Sequence, residues 1–488
     1  MRRLTLSAIA VLLASPPAMV RAQEPHAGGF DCNRDIVRTE TVITVPADAM
    51  KLRQPTAERR VANIILNAGA TLSANAQALQ AWTDAVALWE TVLGDNVTVT
   101  INGDLAGLPS GVLGSTNSST FQTGYAVIRD AMVADRSADE NILVSVPTLA
   151  QLNVDLPNFP VGFSYDNQLR TTRAALSAMG FDMNGTIDPG GVDAEITFST
   201  GFLPQFDFDP TDGITAGRID FFAVVVHEIG HALGFTSAVD VFDYYVNLGS
   251  PISYGPTAFD LFRLVPGQGA SNFTGAARIQ THGGEVAAQT FYDGVTERRL
   301  STGFYNGDNR QASHWRADEF SGVTIGIMDP TISSGAMGKL TNSDLRVLGL
   351  VGWDIVPLPD CNQNDIGDQF DIWDGVEQDV NLNGIPDSCE ATPAPEVRNA
   401  VVTIAPNPFN PRTEIQMVLT RDAYAKIDVY DLSGRHVTRL ADRGYAAGTH
   451  SVMWEGSDDT GRAVSSGVYF VMVDLDGEVQ QHKVALVR

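Results

Sequence analysis

The spacing of apolar residues changes several times along this chain, and each change marks an element. Between Leu72 and Gly94, the residues Leu79, Trp82, Val86, Trp89 and Leu93 recur at three and four, the period of one helical face. Ser73 stands as the N-cap and Gly94 falls just past the end, so an amphipathic helix packed on a sheet is predicted. Val97 to Ile101 then alternates as a half-buried strand, with Asn102-Gly103 expected to close it. A helix followed by a strand predicts an α/β or α+β lobe. Helices are predicted over 125–134 and 168–179, and Ala194 to Phe198 alternates as a strand expected near the functional cleft.

The densest apolar run, Ile219-Asp220-Phe221-Phe222-Ala223-Val224-Val225-Val226, leads straight into His227-Glu228-Ile229-Gly230-His231, and Gly234 arrives where a helix should stop. A charged turn of a core helix is the plain alternative, but so apolar a run does not precede a solvated face. At about 3.6 residues per turn, His227 and His231 stand one above the other, so both imidazoles can reach one zinc ion. Glu228 lies roughly 100° round the helix, where it can act as general base on an activated water.

A catalytic zinc takes three protein ligands, and the chain has eight histidines. His26 lies beside the N-terminal leader, while His436, His450 and His482 fall among the C-terminal strands. His282 and His314 remain, and Asp240, close after the helix, is chemically acceptable as well.

Composition adds location and partners. A chain of 488 residues that is 44% hydrophobic predicts two or three domains. Its 32 basic against 58 acidic residues give a net charge of −26, which argues against nucleic acid and anionic lipid and favours calcium. Met1-Arg2-Arg3, the apolar stretch from Leu4 to Ala14 and Val20-Arg21-Ala22 read as a secretory signal peptide over 1–22. No later stretch reaches the roughly 20 apolar residues of a membrane helix, so a secreted or cell-surface protein is expected. Residues 23–60 are polar and form a candidate pro-segment. Of three cysteines, Cys361 and Cys389 bracket a short acidic segment and are expected to form one disulfide, which leaves Cys32 over.

That acidic segment carries its own chemistry. Asp379, Asn381, Asn383, Gly384, Asp387 and Glu390 occupy positions 1, 3, 5, 6, 9 and 12 of a loop with EF-hand calcium spacing. A weaker loop places Asp360, Asn362, Asn364 and Asp371 at positions 1, 3, 5 and 12, with Asp365 where glycine is usual. Asp207, Asp209 and Asp212 read instead as a solvated acidic loop. Residues 357–397 are thus a calcium-binding spacer and linker. Short strands at Glu414–Leu419, Ala425–Tyr430, His450–Trp454 and Val468–Leu475 predict a β-sandwich over 398–488.

The stretch from His227 to Phe235, the distant His314 in Ala312-Ser313-His314-Trp315, a methionine turn from Ile325 to Pro330 holding Met328, and a last helix from Thr341 to Val351 resemble the leishmanolysin-like branch of the metzincin zinc metalloproteases, secreted bacterial members above all. The resemblance implies an α+β metzincin-like catalytic domain over 61–356 that hydrolyses protein or peptide substrates. It implies zinc held by His227, His231 and His314, Glu228 as general base, and Met328 in a structural turn. The commoner metzincin pattern has its third histidine at the position of Ser237, so the longer spacing to His314 is expected and Asp240 is the runner-up. Metzincin pro-segments often hold a zinc-blocking cysteine, but Phe30-Asp31-Cys32-Asn33-Arg34 matches no such motif, and Cys32 is read as an inert thiol.

The acidic loops resemble the calcium repeats of dockerins and thrombospondin type 3 segments. The segments 429–435, 466–470 and 483–488 resemble the Ig-like C-terminal sorting domain of type IX secretion, which implies the secretion machinery as a partner. The competing reading is a calcium-stabilised cell-surface adhesin with an inactive protease-like domain. Intact Glu228 argues against it.

Overall fold

The computed structural model describes residues 29–31, 42–52, 62–155, 164–250, 253–281, 288–381, 383–390, 400–431, 435–476 and 478–487. The expected signal peptide, His26, Cys32, His282 and the linker 391–397 lie outside them. The chain separates into two units, residues 1–376 and 377–488.

In the first unit the first described strand is β1 (Gly29–Asp31). Its main sheet contains β2 (Asn63–Ala68), β3 (Thr98–Ala106), β4 (Gly114–Ser118) and β5 (Ala194–Ser199), in the order β2-β3-β5-β4. β2, β3 and β5 run parallel, and β4 closes the edge antiparallel to β5. Helix α1 (Ala76–Val92) packs on this sheet and α2 (Phe221–Leu233) carries the two-histidine motif. α3 (Val239–Leu248), β6 (Thr331–Ser333) and α4 (Asn342–Leu350) follow.

The core between sheet and helices is aromatic. Trp82 of α1, Phe198 of β5 and Phe221 of α2 meet edge to face at 5.1 and 5.0 Å, a geometry that adds attraction beyond area burial.

Three local expectations are corrected. Asn75, not Ser73, caps α1, because its side chain accepts the Ala78 N–H at 3.1 Å while Ser73 ends a separate turn, Ala70–Ser73. β3 continues through Asn102-Gly103, because a Cβ on Gly103 would lie 2.7 Å from the Trp82 ring; the glycine serves close helix–sheet approach rather than a turn. Gln168–Thr172 is a strand and only Arg173–Ala178 is helical. The Thr171-Thr172 pair favours the pleated sheet, and Thr172 then caps the helix by accepting the Ala175 N–H.

The first acidic loop belongs with this unit. Thr341 bridges Ile366, and the Asn342 N–H donates to Asp365 O at 2.9 Å. Among the described residues no helix is long and apolar enough to cross a membrane.

The second unit is all-β beyond residue 400. Its strands are β7 (Ala400–Ala405), β8 (Thr413–Leu419), β9 (Ala423–Asp431), β10 (His436–Tyr445), β11 (Gly448–Trp454), β12 (Gly467–Leu475) and β13 (Glu478–Leu486). They form two antiparallel sheets, β7-β8-β11 and β10-β9-β12-β13. Alternate residues point inward, so Ile415, Met417, Ile427, Val429, Val471 and Trp454 build a separate core. β7, β10 and β13 lie beyond the strands predicted from sequence.

Candidate metal and catalytic site

Helix α2 is buried over its whole length, and each end is fixed by a polar contact. Asp220 caps its start, accepting the Ala223 N–H at 2.9 Å and the Gly338 N–H at 3.2 Å. Gly234 ends it at φ 133°, a conformation open to glycine. The reversal brings the Phe235 carbonyl back to His231. Two tryptophans hold the flank: Trp89 Nε1 donates to Val226 O at 3.1 Å and Trp353 Nε1 to Leu233 O at 2.8 Å.

Three imidazoles converge. The Nε2 atoms of His227, His231 and His314 lie 3.1 Å from one another in every pair. On the far side of each ring Nδ1 meets a backbone carbonyl, at Ile327 O (2.7 Å), Phe235 O (2.8 Å) and Gln311 O (3.1 Å). A carbonyl only accepts, so each Nδ1 carries the proton and each Nε2 presents a lone pair. Three lone pairs facing one another have no hydrogen bond to make among themselves. Burial pushes His227 down to about 3 and His231 down to about 4, and His314 falls well below its ordinary value, so all three are neutral near pH 7. A buried, neutral donor set of this kind suits a borderline-soft divalent cation.

His314 arrives from 87 residues beyond His227 on a loop held by buried polar groups. Asp240, the alternative ligand, does not join the three histidines. Its carboxylate accepts the Phe304 N–H at 2.6 Å and the Ala312 N–H at 2.7 Å, so it anchors the loop that delivers His314. Arg263 donates to the Ala312 carbonyl and pairs with Asp260, both fully buried. Ser237, at the position of the compact family's third histidine, donates to Asp260 Oδ1 at 2.7 Å.

The methionine turn lies directly under the motif. A Cβ on Gly230 would meet Met328 Sδ at 2.6 Å, so this glycine admits the methionine between the two histidine turns. Asp344 ties the turn to α4, accepting from Ile327 N, Met328 N and Trp315 Nε1 at 2.8, 3.3 and 2.7 Å.

Glu228 is fully buried and faces β4. The Thr116 hydroxyl lies 2.6 Å from its Oε2 and 2.9 Å from its backbone oxygen, while Oε1 has no hydrogen-bond partner among the described residues. Burial pushes this carboxyl up to about 8. A Cβ at Gly114 would stand 2.5 Å from Oε1, so β4 needs glycine there. Thr116, Gly114, Asp260, Arg263 and Asp344 went unread in the sequence. They lie far from the motif in sequence, and a Gly/Ser/Thr-rich stretch such as 114–119 reads as loop.

The two acidic loops have one hydrogen-bond pattern. Asn364 N donates to Asp360 Oδ1 and Asn362 Oδ1 at 3.0 and 3.1 Å, and Asn383 N to Asp379 Oδ1 and Asn381 Oδ1 at 3.1 and 3.0 Å. Position 12 closes each loop: Asp371 accepts from the Asn362 and Asn364 amides, and Glu390 from those of Asn381 and Asn383. Asp365 adopts φ 75° where Gly384 has 83°, and its carboxylate is occupied by Ser343 and Arg298. Asp387 accepts from the Val380 N–H at 3.2 Å. Cys361 and Cys389 are both disulfide-bonded.

With this geometry in place, comparison with known proteins concerns mainly the C-terminal unit. Residues 410–478 match the family described as FlgD Ig-like domain, in keeping with the two-sheet sandwich. No curated protein matches the chain. Solved structures to which it is similar include dimeric latent PorU from Porphyromonas gingivalis, 20% identical over 18% of this chain and 9% of that one, with a TM-score of 0.17. PorZ, a surface component of the type IX secretion system of the same organism, is 24% identical over 18% and 11%, with a TM-score of 0.14. FlgD from P. aeruginosa is 27% identical over 15% and 59%, with a TM-score of 0.13. The chain thus spans about a tenth of the length of PorU and PorZ.

Proposed function

We propose that this chain is a secreted zinc endopeptidase whose first unit hydrolyses peptide bonds in protein substrates. The observation that carries the reading is the triangle of His227, His231 and His314 Nε2 atoms, all unprotonated and 3.1 Å apart, with Glu228 on the same helix. The three nitrogens would hold a zinc ion, which when bound would supply Lewis acidity for a water and a substrate carbonyl. Glu228 does the proton work: as carboxylate it takes a proton from the attacking water, and as acid it returns one to the leaving amine. Among the described residues its Oε1 has no hydrogen-bond partner, which leaves that oxygen open to the water. The Nδ1–carbonyl bonds fix each ring, so the ligand set needs no reorganisation. Met328 fills the space below the histidines. The metzincin resemblance supports the same assignment.

The loops 360–371, within the first unit, and 379–390, within the second, are proposed as calcium sites that stiffen the spacer, with Asp360, Asn362, Asn364 and Asp371 in one and Asp379, Asn381, Asn383, Asp387 and Glu390 in the other. The Ig-like unit is proposed as the handle for type IX secretion, on the sequence segments it carries.

The test is metal content and proteolysis of an unfolded protein such as casein. The wild type should hold one zinc per chain and lose cleavage on chelation, regaining it with zinc. Glu228→Gln should keep the zinc and lose about 10²–10⁴-fold in rate. Wild type that binds no zinc, or Glu228→Gln that cuts as fast, ends the endopeptidase reading. Zinc without cleavage favours the adhesin instead.

A further inference from the structure

Asp371, at the last position of the first acidic loop, is 1% exposed. Its Oδ2 accepts from the side-chain amides of Asn362 and Asn364 at 3.0 and 2.8 Å, so the carboxylate faces the interior of the loop. Its Oδ1 has no hydrogen-bond partner among the described residues. A buried carboxylate oxygen without a donor is costly unless a cation meets it, which marks this loop as a cation seat by more than its spacing.

The same loop reaches the histidine site through Asp365. Glycine is usual at that position because φ is positive, and in the second loop a Cβ on Gly384 would meet nothing within 4 Å. Asp365 takes up φ 75° all the same, a region that aspartate visits at some cost, and its side chain is engaged. Its Oδ2 accepts from Ser343 Oγ in the first turn of α4 and from Arg298 Nη2 at 3.5 Å. Both contacts lead to the third histidine. Asp344, the residue after Ser343, accepts from Trp315 Nε1 at 2.7 Å and from Met328 N at 3.3 Å. Arg298 belongs to the strand Glu297–Leu300, where Arg299 O accepts the Arg316 N–H at 2.9 Å and Leu300 bridges Trp315. The following Ser301 N–H donates to His314 O at 3.1 Å.

We propose that calcium in the loop 360–371 sets the affinity of the three-histidine site for zinc, and that Asp365 is the positioning residue that couples the two metals. The ion gathers Asp360 and Asp371, whose charges otherwise repel, and so fixes Asp365, whose N–H donates to Asp360 Oδ2 at 2.8 Å. Asp365 then holds α4 and the strand 297–300, the two elements that grip residues 314–316. Calcium favours the ordered loop and zinc favours the ordered His314, so each ion tightens the other by the same factor. The inference rests on the proposed calcium loop and on the zinc site of the endopeptidase reading. The loop 379–390, with Gly384 at the matching position, lacks the coupling side chain.

The experiment uses the full chain freed of metal, with zinc affinity read by competition against a chromophoric chelator, with and without saturating calcium. In the wild type calcium should tighten zinc about tenfold and slow amide exchange at residues 314–316. Glu390→Gln should keep the whole effect, and Asp371→Asn should lose it. Asp365→Gly restores the usual loop residue at a positive φ, so it should still take up calcium in this loop, by calorimetry, and yet lose the effect on zinc. Zinc affinity that calcium leaves unchanged in the wild type, or a full effect in Asp365→Gly, overturns the inference. Exchange that calcium slows at 314–316 in a protein that takes no zinc keeps the coupling and removes the endopeptidase reading. A loop that takes no calcium removes the calcium reading and the inference together, while zinc binding stands.

Discussion

Replacing Thr116 by valine takes away the one side-chain donor that reaches the Glu228 carboxyl among the described residues. A hydrogen bond to a charged acceptor contributes about 1.5–3 kcal/mol, and the Thr116 proton is shared with the Glu228 backbone oxygen, which favours the lower end. At about 1.4 kcal/mol per pKa unit, the loss raises the Glu228 pKa by about one unit. The sign follows from the state stabilised: the hydroxyl favours the carboxylate, the carboxylate is the working base, and burial already holds this group up at about 8. The acidic limb of kcat/KM against pH should therefore move up by about one unit, with the rate on that limb about tenfold lower and the alkaline plateau little changed. Thr116→Ser should restore the wild-type profile, and zinc content should stay the same in all three proteins. A limb that does not move in Thr116→Val at full zinc occupancy refutes the assignment of Glu228 as the titrating base.

Other outcomes follow from the same geometry. His314→Ala should lose the metal, whereas Asp240→Ala should retain it with about 10–100-fold weaker affinity and unfold about 1–3 kcal/mol more easily, because two buried amides lose their acceptor; zinc titration and urea unfolding separate the two, and the reverse order of affinities would make Asp240 the ligand. Gly230→Ala should cost about 1–3 kcal/mol through overpacking against Met328, and the cost should shrink in a Met328→Ala background, a coupling read from a double-mutant cycle. Calorimetric titration should find two calcium ions per chain, with Asp371→Asn and Glu390→Gln each removing one; a protein that takes up no calcium ends the spacer reading. In metal-free protein, His227 and His231 are pushed by burial from 6.5 down to about 3 and 4, so the unfolded chain takes up protons that the folded chain does not. Stability present above about pH 6.5 should fall progressively on acidification, seen as a falling urea midpoint, and zinc should steepen the loss as protons displace it.

What the sequence determined by itself is local. The i, i+4 placement of His227 and His231 is set by helical pitch, and the stop at Gly234 by backbone freedom. The acidic loops are as local: every predicted ligand falls within twelve residues, so spacing alone gathers them. Alternation likewise placed β8, β9, β11 and β12 to within two residues at either end. The tertiary structure decided what faces what. The apolar run says that α2 is buried and is silent on the strand that covers it, so Gly114 and Thr116, the latter 112 residues from Glu228, could not be read as its partners. Composition left His282, His314 and Asp240 open as the third group. Packing of the Arg263–Asp260 pair and the Asp240 carboxylate against one loop brings His314 to the other two histidines. The same limit explains Asn102-Gly103 and residues 168–172. A glycine or a threonine pair encodes a conformational permission, and the neighbour that uses it, Trp82 or the adjoining strand, is chosen only when the chain closes on itself.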